Sequence, residues 1–343
     1  MKIGIAYDLK PKTSMDADLP DDWHEEFDSP VTIEAISETL RQRGHTIVLL
    51  GNGRELLENL LQNPVDFVFN IAEGNGVSRT REARVPAICE MLEIPHSGSD
   101  PLTLSLALEK NWCRQWVEQK GITVPKGIVL PVPEKAYDGD GAEFIGLVME
   151  SELSFPLIAK PVFEGSSKGI RNRCLIQEPN QLAEVIPYLW NNYKQDILLE
   201  EFIEGDEVTV GIIGNSPGRI LGCMRIIPLK SNSNFVYSLE VKRDWQEQVK
   251  YECPARLSGE ILDALESVAL EVFDLLGCRD ITRIDFRIRN GIPYFLEANP
   301  LPGVNPESSD LVILAKGMGI SYQELIGTIF LEALQRYGIS ETI

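Results

Sequence analysis

Two carboxylates and a side-chain amide lie near one another towards the carboxyl end of the chain, at Asp285, Glu297 and Asn299. Asp285 belongs to a run in which apolar and polar residues alternate, and the other two end a second such run, so the pattern predicts a hairpin. If the three side chains share a face with Arg283, their hard oxygen atoms suit Mg²⁺ held together with substrate phosphates. An ordinary solvated hairpin face is the alternative for this segment taken alone.

The turn between the two strands decides whether these side chains meet. A two-residue turn at Asn290-Gly291 would place Asp285 opposite Leu296. Glu297 would then lie on the far face. A three-residue loop over Arg289–Gly291, ending in a left-handed glycine, would instead bring Asp285, Glu297 and the amide onto one face. We therefore predict the three-residue loop.

The composition limits the class of protein. With 343 residues, 43% of them apolar, the chain is long enough for two or three packed lobes. Its net charge of −20 argues against nucleic acid or an anionic membrane as a partner. Six scattered cysteines without a CxxC pair indicate free thiols in a reducing compartment. The amino-terminal MKIGIAYD predicts a strand rather than a signal peptide, and no apolar run approaches membrane-spanning length, so we expect a cytoplasmic protein.

The pattern of elements divides the chain into three stretches. Residues 1–109 alternate strand and helix, which predicts an α/β lobe with a parallel sheet and ligands beyond the carboxyl ends of its strands. Within this lobe an acidic segment at 9–30 is predicted to be a loop. Residues 110–206 predict a second lobe. Residues 207–343 predict a third, with a loop at 228–250, a long helix at Gly259–Leu276, the hairpin and two closing helices.

Three further segments have compositions that suit a nucleotide or another anion. Arg79, Arg81 and Arg84 follow the third strand and indicate an anion site, with an exposed helix start as an equally open alternative. The small polar loop Glu164–Gly169 could wrap backbone N–H groups around phosphate, although it lacks the P-loop pattern and ordinary turns share its composition. The strand ILLEE ends at Glu200-Glu201, where it could contact an adenine and a ribose or be a charged edge strand.

Five motifs in order resemble the ATP-grasp superfamily, and within it the D-alanine–D-alanine ligases. They are HSGSDPLTLSLALEKNWCRQ, PLIAKPVFEGSSKGI, LLEEFIEGDEVTV, VYSLEVKRDW with YECPA, and RIDFRI with YFLEANPLPGVNPESS. The resemblance covers essentially the whole chain. It implies an α/β fold with α+β lobes, the ATP-grasp fold of three lobes, with ATP between the central and carboxyl-terminal lobes. It also implies an ADP-forming ligation of a carboxylate to an amine through an acylphosphate, with ATP and two Mg²⁺ as cofactors and Mn²⁺ as an alternative metal.

The resemblance also implies roles for individual residues. The implied ATP-binding residues are Lys110, Lys160, Ser166, Ser167, Glu200, Glu201, Phe202, Ile203, Glu207, Lys242 and Leu296. The implied catalytic residues are Arg283, Gly303, Ser166 and Lys242. The implied metal ligands are Asp285, Glu297 and Asn299. In this scheme Arg283 and the Gly303 N–H stabilise the oxyanion, and Ser308 binds the carboxylate of the second amino acid.

The sequence departs from the family around the first substrate. The acidic 9–30 segment replaces a glycine-rich loop and leaves Glu26 or Asp28 near the position of the carboxylate that binds the first amine. Glu73 lies where the family has a histidine-containing segment, and Arg243 replaces the tyrosine of a mobile flap. The predicted substrate-binding residues are therefore Ser308, Gly303, Arg243, Glu73 and Arg79.

These departures leave alternatives for the substrate. We expect a D-alanine–D-alanine ligase-like enzyme, with a larger or more acidic acyl donor as the alternative, because Arg243 and the arginines of segment 79–84 would surround one pocket. Those arginines could instead pair with Glu73, Glu82 and the acidic segment. A nucleotide-binding protein without turnover is a third interpretation, against which the intact lysines and metal ligands argue. The expected partners are small amino acids or other acids, without nucleic acid or membrane, and a homodimer is left open.

Overall fold

The computed structural model describes residues 1–11, 19–135, 137, 139, 141–230 and 234–341. Asp16 and Asp18 of the predicted acidic segment lie outside these residues. The strands are β1 (Lys2–Ala6), β2 (Thr46–Gly51), β3 (Phe67–Asn70), β4 (Gly127–Leu130), β5 (Leu157–Pro161), β6 (Leu175–Ile176), β7 (Ile197–Glu201), β8 (Asp206–Gly214), β9 (Arg219–Pro228), β10 (Val249–Glu252), β11 (Asp280–Arg289) and β12 (Ile292–Asn299). The helices are α1 (Pro30–Gln42), α2 (Gly53–Gln62), α3 (Arg84–Met91), α4 (Pro101–Leu108), α5 (Lys110–Glu118), α6 (Ala142–Glu150), α7 (Leu182–Tyr193), α8 (Leu239–Arg243), α9 (Trp245–Gln248), α10 (Gly259–Leu276), α11 (Asp310–Gly317) and α12 (Tyr322–Arg336).

The strands form three sheets in chain order. The first is parallel with the order β2-β1-β3, as the alternation of strands and helices predicts. The second, β4-β7-β5-β6, and the third, β10-β9-β8-β11-β12, are antiparallel. This mixture confirms the predicted α/β class with α+β lobes. The lobe boundaries at 109/110 and 206/207 stay predictions.

The last helix, α12, packs against the first sheet. Phe330 of α12 packs edge-on against Phe67 of β3, with 5.2 Å between the ring centres, and both side chains are fully buried. Burying a side chain of this size contributes roughly 1.5–3 kcal/mol. The helix begins in a capping box in which Ser321 and Glu324 each bond the other's backbone N–H. The first sheet is thereby fixed against the part of the chain that carries the hairpin.

The hairpin of β11 and β12 differs from the prediction in its turn. Arg289 pairs with Ile292, so the connection is the two-residue turn Asn290-Gly291, whose φ angles of +54° and +79° suit a type I′ turn. The predicted three-residue loop is wrong. A bulge at Leu296 then shifts the register, so that Asp285 pairs with Glu297. The predicted shared face therefore exists, but the bulge creates it rather than the turn.

The predicted loop at 228–250 is also partly wrong, because it contains α8, α9 and the start of β10. Helix α8 begins at Ser238, whose hydroxyl accepts a hydrogen bond from the N–H of Val241 at 3.5 Å. The backbone N–H of Leu239 donates to the carbonyl of Ile170 at 3.0 Å. Lys242 and Arg243 therefore project from a short, capped helix. Among the described residues, no helix is long and apolar enough to cross a membrane.

Candidate active site

The hairpin places the two predicted metal-binding carboxylates side by side. Asp285 accepts hydrogen bonds from the Thr209 hydroxyl at 2.7 Å, the Arg283 guanidinium at 2.9 Å and the Asn299 amide at 3.2 Å. Burial and the neighbouring charge of Glu297 raise the pKa of Asp285 even though Arg283 opposes them. Two close carboxylates and an amide oxygen, with one carboxylate difficult to ionise, form a donor set that fits a divalent cation. This residue set is compatible with the metal that the resemblance implies.

The two predicted phosphate-binding lysines are each paired with an acid. Lys110 Nζ lies 3.0 Å from Glu297 Oε2 and donates to the carbonyl of Glu164 at 2.6 Å. Burial would raise the pKa of Glu297, but Lys110 and Arg283 hold it well below its usual value. Lys160 forms an ion pair with Glu200. Both lysines therefore already lie in acidic surroundings where a phosphate could exchange with their partners.

The loop Glu164–Gly169 has an unusual backbone. Ser166 and Ser167 adopt consecutive positive φ angles of +49° and +60°, which are uncommon for residues other than glycine. Within the described part of the chain, neither of their N–H groups donates to a protein acceptor, whereas the N–H of Gly165 donates to Glu26 at 2.5 Å. Successive backbone N–H groups in a turn can form a concave site that binds anions. The geometry thus suits the predicted contact with phosphate.

A smaller cavity of about 70 Å³ lies between the second and third sheets. It brings together most of the predicted ATP-binding residues, namely Lys160, Ser167, Glu200, Glu201, Phe202, Ile203, Glu207, Lys242 and Leu296. The sequence interpretation missed Arg287, whose guanidinium stacks 4.4 Å from the Phe202 ring centre and bonds Glu207 at 2.5 Å. The signal that could have found it was its place two residues beyond Asp285, on the same strand face.

A larger cavity of about 340 Å³ adjoins the smaller one. It contains the remaining predicted residues Lys110, Ser166, Asn299, Gly303, Ser308 and Glu73. The residues that line both cavities are Tyr237, Lys242, Arg283, Glu297 and Asp310. The two spaces therefore meet where the sequence predicts the γ-phosphate and the oxyanion-binding arginine.

Three residues near this junction were not predicted from the sequence: Tyr237 and Asp310, which line both cavities, and Tyr251, which lines the larger one. The Tyr237 hydroxyl donates to Asp310 at 2.9 Å, and Asp310 also bonds Arg283 at 3.3 Å. The hydroxyls of Tyr237 and Tyr251 are 2.6 Å apart. Arg283 is thus fixed between Asp285 and Asp310. Nothing in the local sequence of either tyrosine marks this long-range contact, because Tyr237 precedes α8, Tyr251 lies on β10 and Asp310 begins α11.

The structure does not bring the four arginines into one pocket, and this part of the sequence interpretation is wrong. Arg79 is exposed, stacks 4.5 Å from the Trp112 ring centre and lines neither cavity. Arg81 is fully buried and paired with Glu26 at 2.8 Å. Arg84 is exposed and donates to a backbone carbonyl at 2.8 Å.

Arg243 is likewise outside both cavities. Its guanidinium bonds Asp21 at 2.6 Å and Glu25 at 2.9 Å. Arg79 and Arg243 therefore lack the predicted contact with a substrate space. The alternative interpretation, in which these arginines pair with the acidic segment, describes Arg81 and Arg243 correctly. The arginines therefore no longer support a donor that carries an extra carboxylate.

The three sheets and the two adjoining cavities are those of an ATP-grasp protein. A family model described as D-ala D-ala ligase C-terminus matches residues 117–331. A D-alanine–D-alanine ligase of Aquifex aeolicus is 31% identical over 87% of this chain and 93% of that protein. The chain belongs to the D-alanine–D-alanine ligase family, and is an ATP-dependent, ADP-forming carboxylate–amine ligase.

Solved structures agree with this assignment at the level of the fold. A D-alanine–D-alanine ligase of Bacillus anthracis superposes with a TM-score of 0.73 at 21% identity, covering 98% of this chain and 99% of that chain. The VanG D-Ala:D-Ser ligase of Enterococcus faecalis gives a TM-score of 0.70 at 21% identity, covering 97% and 99%. The fold is therefore shared along the whole chain. The family membership also implies ATP and a divalent metal ion.

Proposed function

We propose that this enzyme joins an amino-acid donor to a small amino acid of the D-alanine type, using ATP to activate the donor carboxylate. The observation that carries the proposal is the junction of the two cavities at Lys242, Arg283 and Glu297. A nucleotide in the smaller cavity would point its terminal phosphate at this junction. Amino acids in the larger cavity would meet it there. This arrangement supports the transfer of a phosphoryl group and then of an acyl group in one enclosed space.

In the proposed complex, ATP is held by groups on both sides of the smaller cavity. The backbone of β7 and Phe202 contact the adenine, and Glu207 accepts from the ribose with its free oxygen. Lys110, Lys160 and the N–H groups of Ser166 and Ser167 bind the phosphates. At about 70 Å³ the cavity is smaller than the roughly 300–1,000 Å³ of typical ligand sites, so nucleotide entry requires the loop of Ser167 and α8 to separate.

The metal ions are assigned to the hairpin face. Asp285, Glu297 and Asn299 would hold two Mg²⁺, with Mn²⁺ as an alternative, together with phosphate oxygens. When bound, the metals supply positive charge that neutralises the phosphoryl oxygens. Arg283 keeps Asp285 in place, and Lys110 and Lys242 supply further positive charge beside the phosphates.

The first step forms the acylphosphate. A donor carboxylate oxygen bonds to the γ-phosphorus while the bond from phosphorus to the bridging oxygen breaks, and that electron pair leaves with ADP. Lys242, on α8, lies at the cavity junction where it can neutralise the transferred group. Closure of the cavity keeps water from the acylphosphate.

The second step forms the amide. The acceptor amine bonds to the acyl carbon, and the C–O bond to phosphate breaks with its electron pair. The acceptor ammonium loses two protons overall, which leave with water and phosphate. Arg283 and the Gly303 N–H stabilise the tetrahedral oxyanion, and Ser308 binds the acceptor carboxylate.

The test is ADP release with D- and L-amino acids, singly and in pairs, followed by mass analysis of the product. The expected result is ADP release that depends on an amino-acid donor, with a dipeptide formed in equal amount. ATP binding with no ADP release from any donor would overturn the proposal and favour a nucleotide-binding protein without turnover.

A further inference from the structure

Arg287 is a buried cation in the wall of the smaller cavity, and only 4% of the residue is exposed. It lies on β11 two residues beyond Asp285, on the same face of the strand. Glu207 is its direct partner across the ladder to β8, just as Thr209 is the partner of Asp285. One face of the third sheet therefore carries a predicted metal ligand and, beside it, an arginine–glutamate pair.

The guanidinium of Arg287 contacts three chain segments around this cavity. One terminal nitrogen donates to the carbonyl of Ile203 at 3.0 Å. The other donates to a carboxylate oxygen of Glu207 at 2.5 Å and to the carbonyl of Phe235 at 2.5 Å. The central carbon of the guanidinium lies 4.4 Å from the centre of the Phe202 ring, within the range of a cation–π contact. Both terminal nitrogens thus already bond to protein acceptors.

The carboxylate that Arg287 holds keeps one of its oxygens for another partner. Oε2 of Glu207 accepts from Arg287, whereas Oε1 has no hydrogen-bond partner among the residues that the structure describes. The Glu207 side chain is 14% exposed and lines the smaller cavity. An ionised carboxylate only accepts hydrogen bonds, and those that it accepts from hydroxyl groups are charge-assisted. The second oxygen therefore suits a hydroxyl donor such as that of a ribose.

The direction of this carboxylate depends on its ion pair. A glutamate side chain has several rotamers, and fixing one of them costs conformational entropy. Here the partner guanidinium is itself restrained by a ring and two backbone carbonyls, so the pair holds the Glu207 carboxylate in one orientation. Without Arg287 the nearly buried carboxylate would lose its compensating charge, and it would bind a proton or turn towards another cation.

We propose that Arg287 is a positioning residue for the nucleotide: it orients Glu207 so that the enzyme distinguishes a ribose from a 2′-deoxyribose. The inference rests on the proposed function, in which ATP occupies the smaller cavity, and adds a determinant of nucleotide specificity to it. Arg287 itself contacts no reacting group. Through the Phe235 carbonyl it also supports the segment that leads into α8 and Lys242.

The test compares the binding of ADP and 2′-deoxy-ADP, each with Mg²⁺, by calorimetry, which requires no turnover. The wild type should bind ADP about tenfold to a hundredfold more tightly, the value of one charge-assisted hydrogen bond. Arg287→Gln should lose most of this preference, and Glu207→Ala should lose all of it. Adding Arg287→Gln to Glu207→Ala should reduce the preference no further, because the arginine acts through that carboxylate. In turnover, Arg287→Gln should raise KM for ATP and leave KM for the acceptor amino acid unchanged.

Arg289→Gln is the matched control. Arg289 lies on the same strand and stacks 4.7 Å from the Tyr294 ring centre, but it lines neither of the two cavities, so the variant should keep the preference. If Arg287→Gln does not fold, Arg287→Lys decides. It keeps the charge and replaces the planar fork with a single amine, so its preference should fall below that of the wild type.

Two results would overturn the inference while leaving the ligase function intact. One is equal affinity of the wild type for the two nucleotides. The other is an unchanged preference in every Arg287 variant that folds, even with a lower melting temperature, since that would show a structural role alone. Absence of ADP release with every donor would instead overturn the ligase function, and the nucleotide preference would still decide the role of Arg287.

Discussion

Lys110 forms an ion pair with Glu297 beside the junction of the two cavities, with 3.0 Å between Nζ and Oε2. The lysine begins α5 and the carboxylate lies on β12, so the pair links the start of the second predicted lobe to the hairpin. In the proposed reaction Lys110 also binds phosphate, and Glu297 also binds metal. Binding of the metal nucleotide would let both exchange this pair for new partners without leaving either charge uncompensated.

Glu297→Gln should reduce ADP formation by more than about a hundredfold, because a neutral amide binds a divalent cation less well than a carboxylate does. The amide can still accept a hydrogen bond from Lys110 but no longer balances its charge, so the melting temperature should fall, and activity is compared at a temperature where the variant is folded. The matched control is Glu332→Gln, which loses an ion pair with Arg219 away from both cavities and should retain full activity. Near wild-type turnover of the Glu297 variant at saturating Mg²⁺ would contradict the metal assignment.

Ser308→Ala should raise KM for the acceptor amino acid by about tenfold and leave KM for ATP unchanged. Ser308 lines the larger cavity, which is the space proposed for the amino acids, and does not line the smaller cavity proposed for the nucleotide. Initial rates with each substrate varied in turn measure both constants. Equal effects on the two constants would argue against the acceptor role, and Ser78→Ala, outside both cavities, serves as the control.

Asp28→Asn should stabilise the protein at pH 8. Burial and the neighbouring Asp8 raise the pKa of Asp28 from 3.8 to about 8. Between these values the folded protein binds more protons than the unfolded chain, so its stability falls as pH rises. The other groups that interact electrostatically with Asp28 are Glu73 and Tyr322.

The melting temperature of Asp28→Asn should therefore exceed that of the wild type by several degrees at pH 8, and the difference should shrink towards pH 4. Asp263→Asn, an exposed residue of α10, provides the control and should show no such trend. A constant difference at every pH would contradict the assigned burial of the charge.

Arg243→Ala should loosen the contact between the acidic segment and α8. The guanidinium joins Asp21 and Glu25 to the helix that carries Lys242, and such a network holds more strongly than one exposed pair. We expect faster amide exchange at residues 20–28 and 239–248, and a higher KM for ATP. Arg41→Ala removes an exposed pair with Glu34 and is the control. Unchanged amide exchange in both segments would show that Arg243 does not stabilise the contact between the acidic segment and α8.

The sequence predicts the helices and sheets well, because the patterns that indicate them are local in the chain. The parallel sheet follows from short apolar strands between helices, and the long helix predicted at Gly259–Leu276 coincides with α10. The shared face of Asp285 and Glu297 was predicted for a mistaken reason. Nothing in the run IPYFLEAN marks Leu296 as the bulged residue, since a bulge depends on the partner strand and on the space beside it.

The charges around the donor site could not be predicted in the same way. Three arginines close together in sequence indicate one anion site, yet burial of Arg81 against Glu26 turns its charge inward, and Arg79 stacks on Trp112. These contacts join segments that are far apart in the chain. A pairing of this kind is decided by tertiary packing, so the sequence supplies the charges but not their partners.

The central claim is that the donor carboxylate is activated by ATP through an acylphosphate. A donor labelled with ¹⁸O in both carboxylate oxygens tests it most directly, because one donor oxygen remains on phosphorus when the amide forms. Turnover with ATP and an acceptor amino acid should release inorganic phosphate that contains one ¹⁸O atom per molecule of product, measured by mass spectrometry. Product formation with unlabelled phosphate would contradict the account.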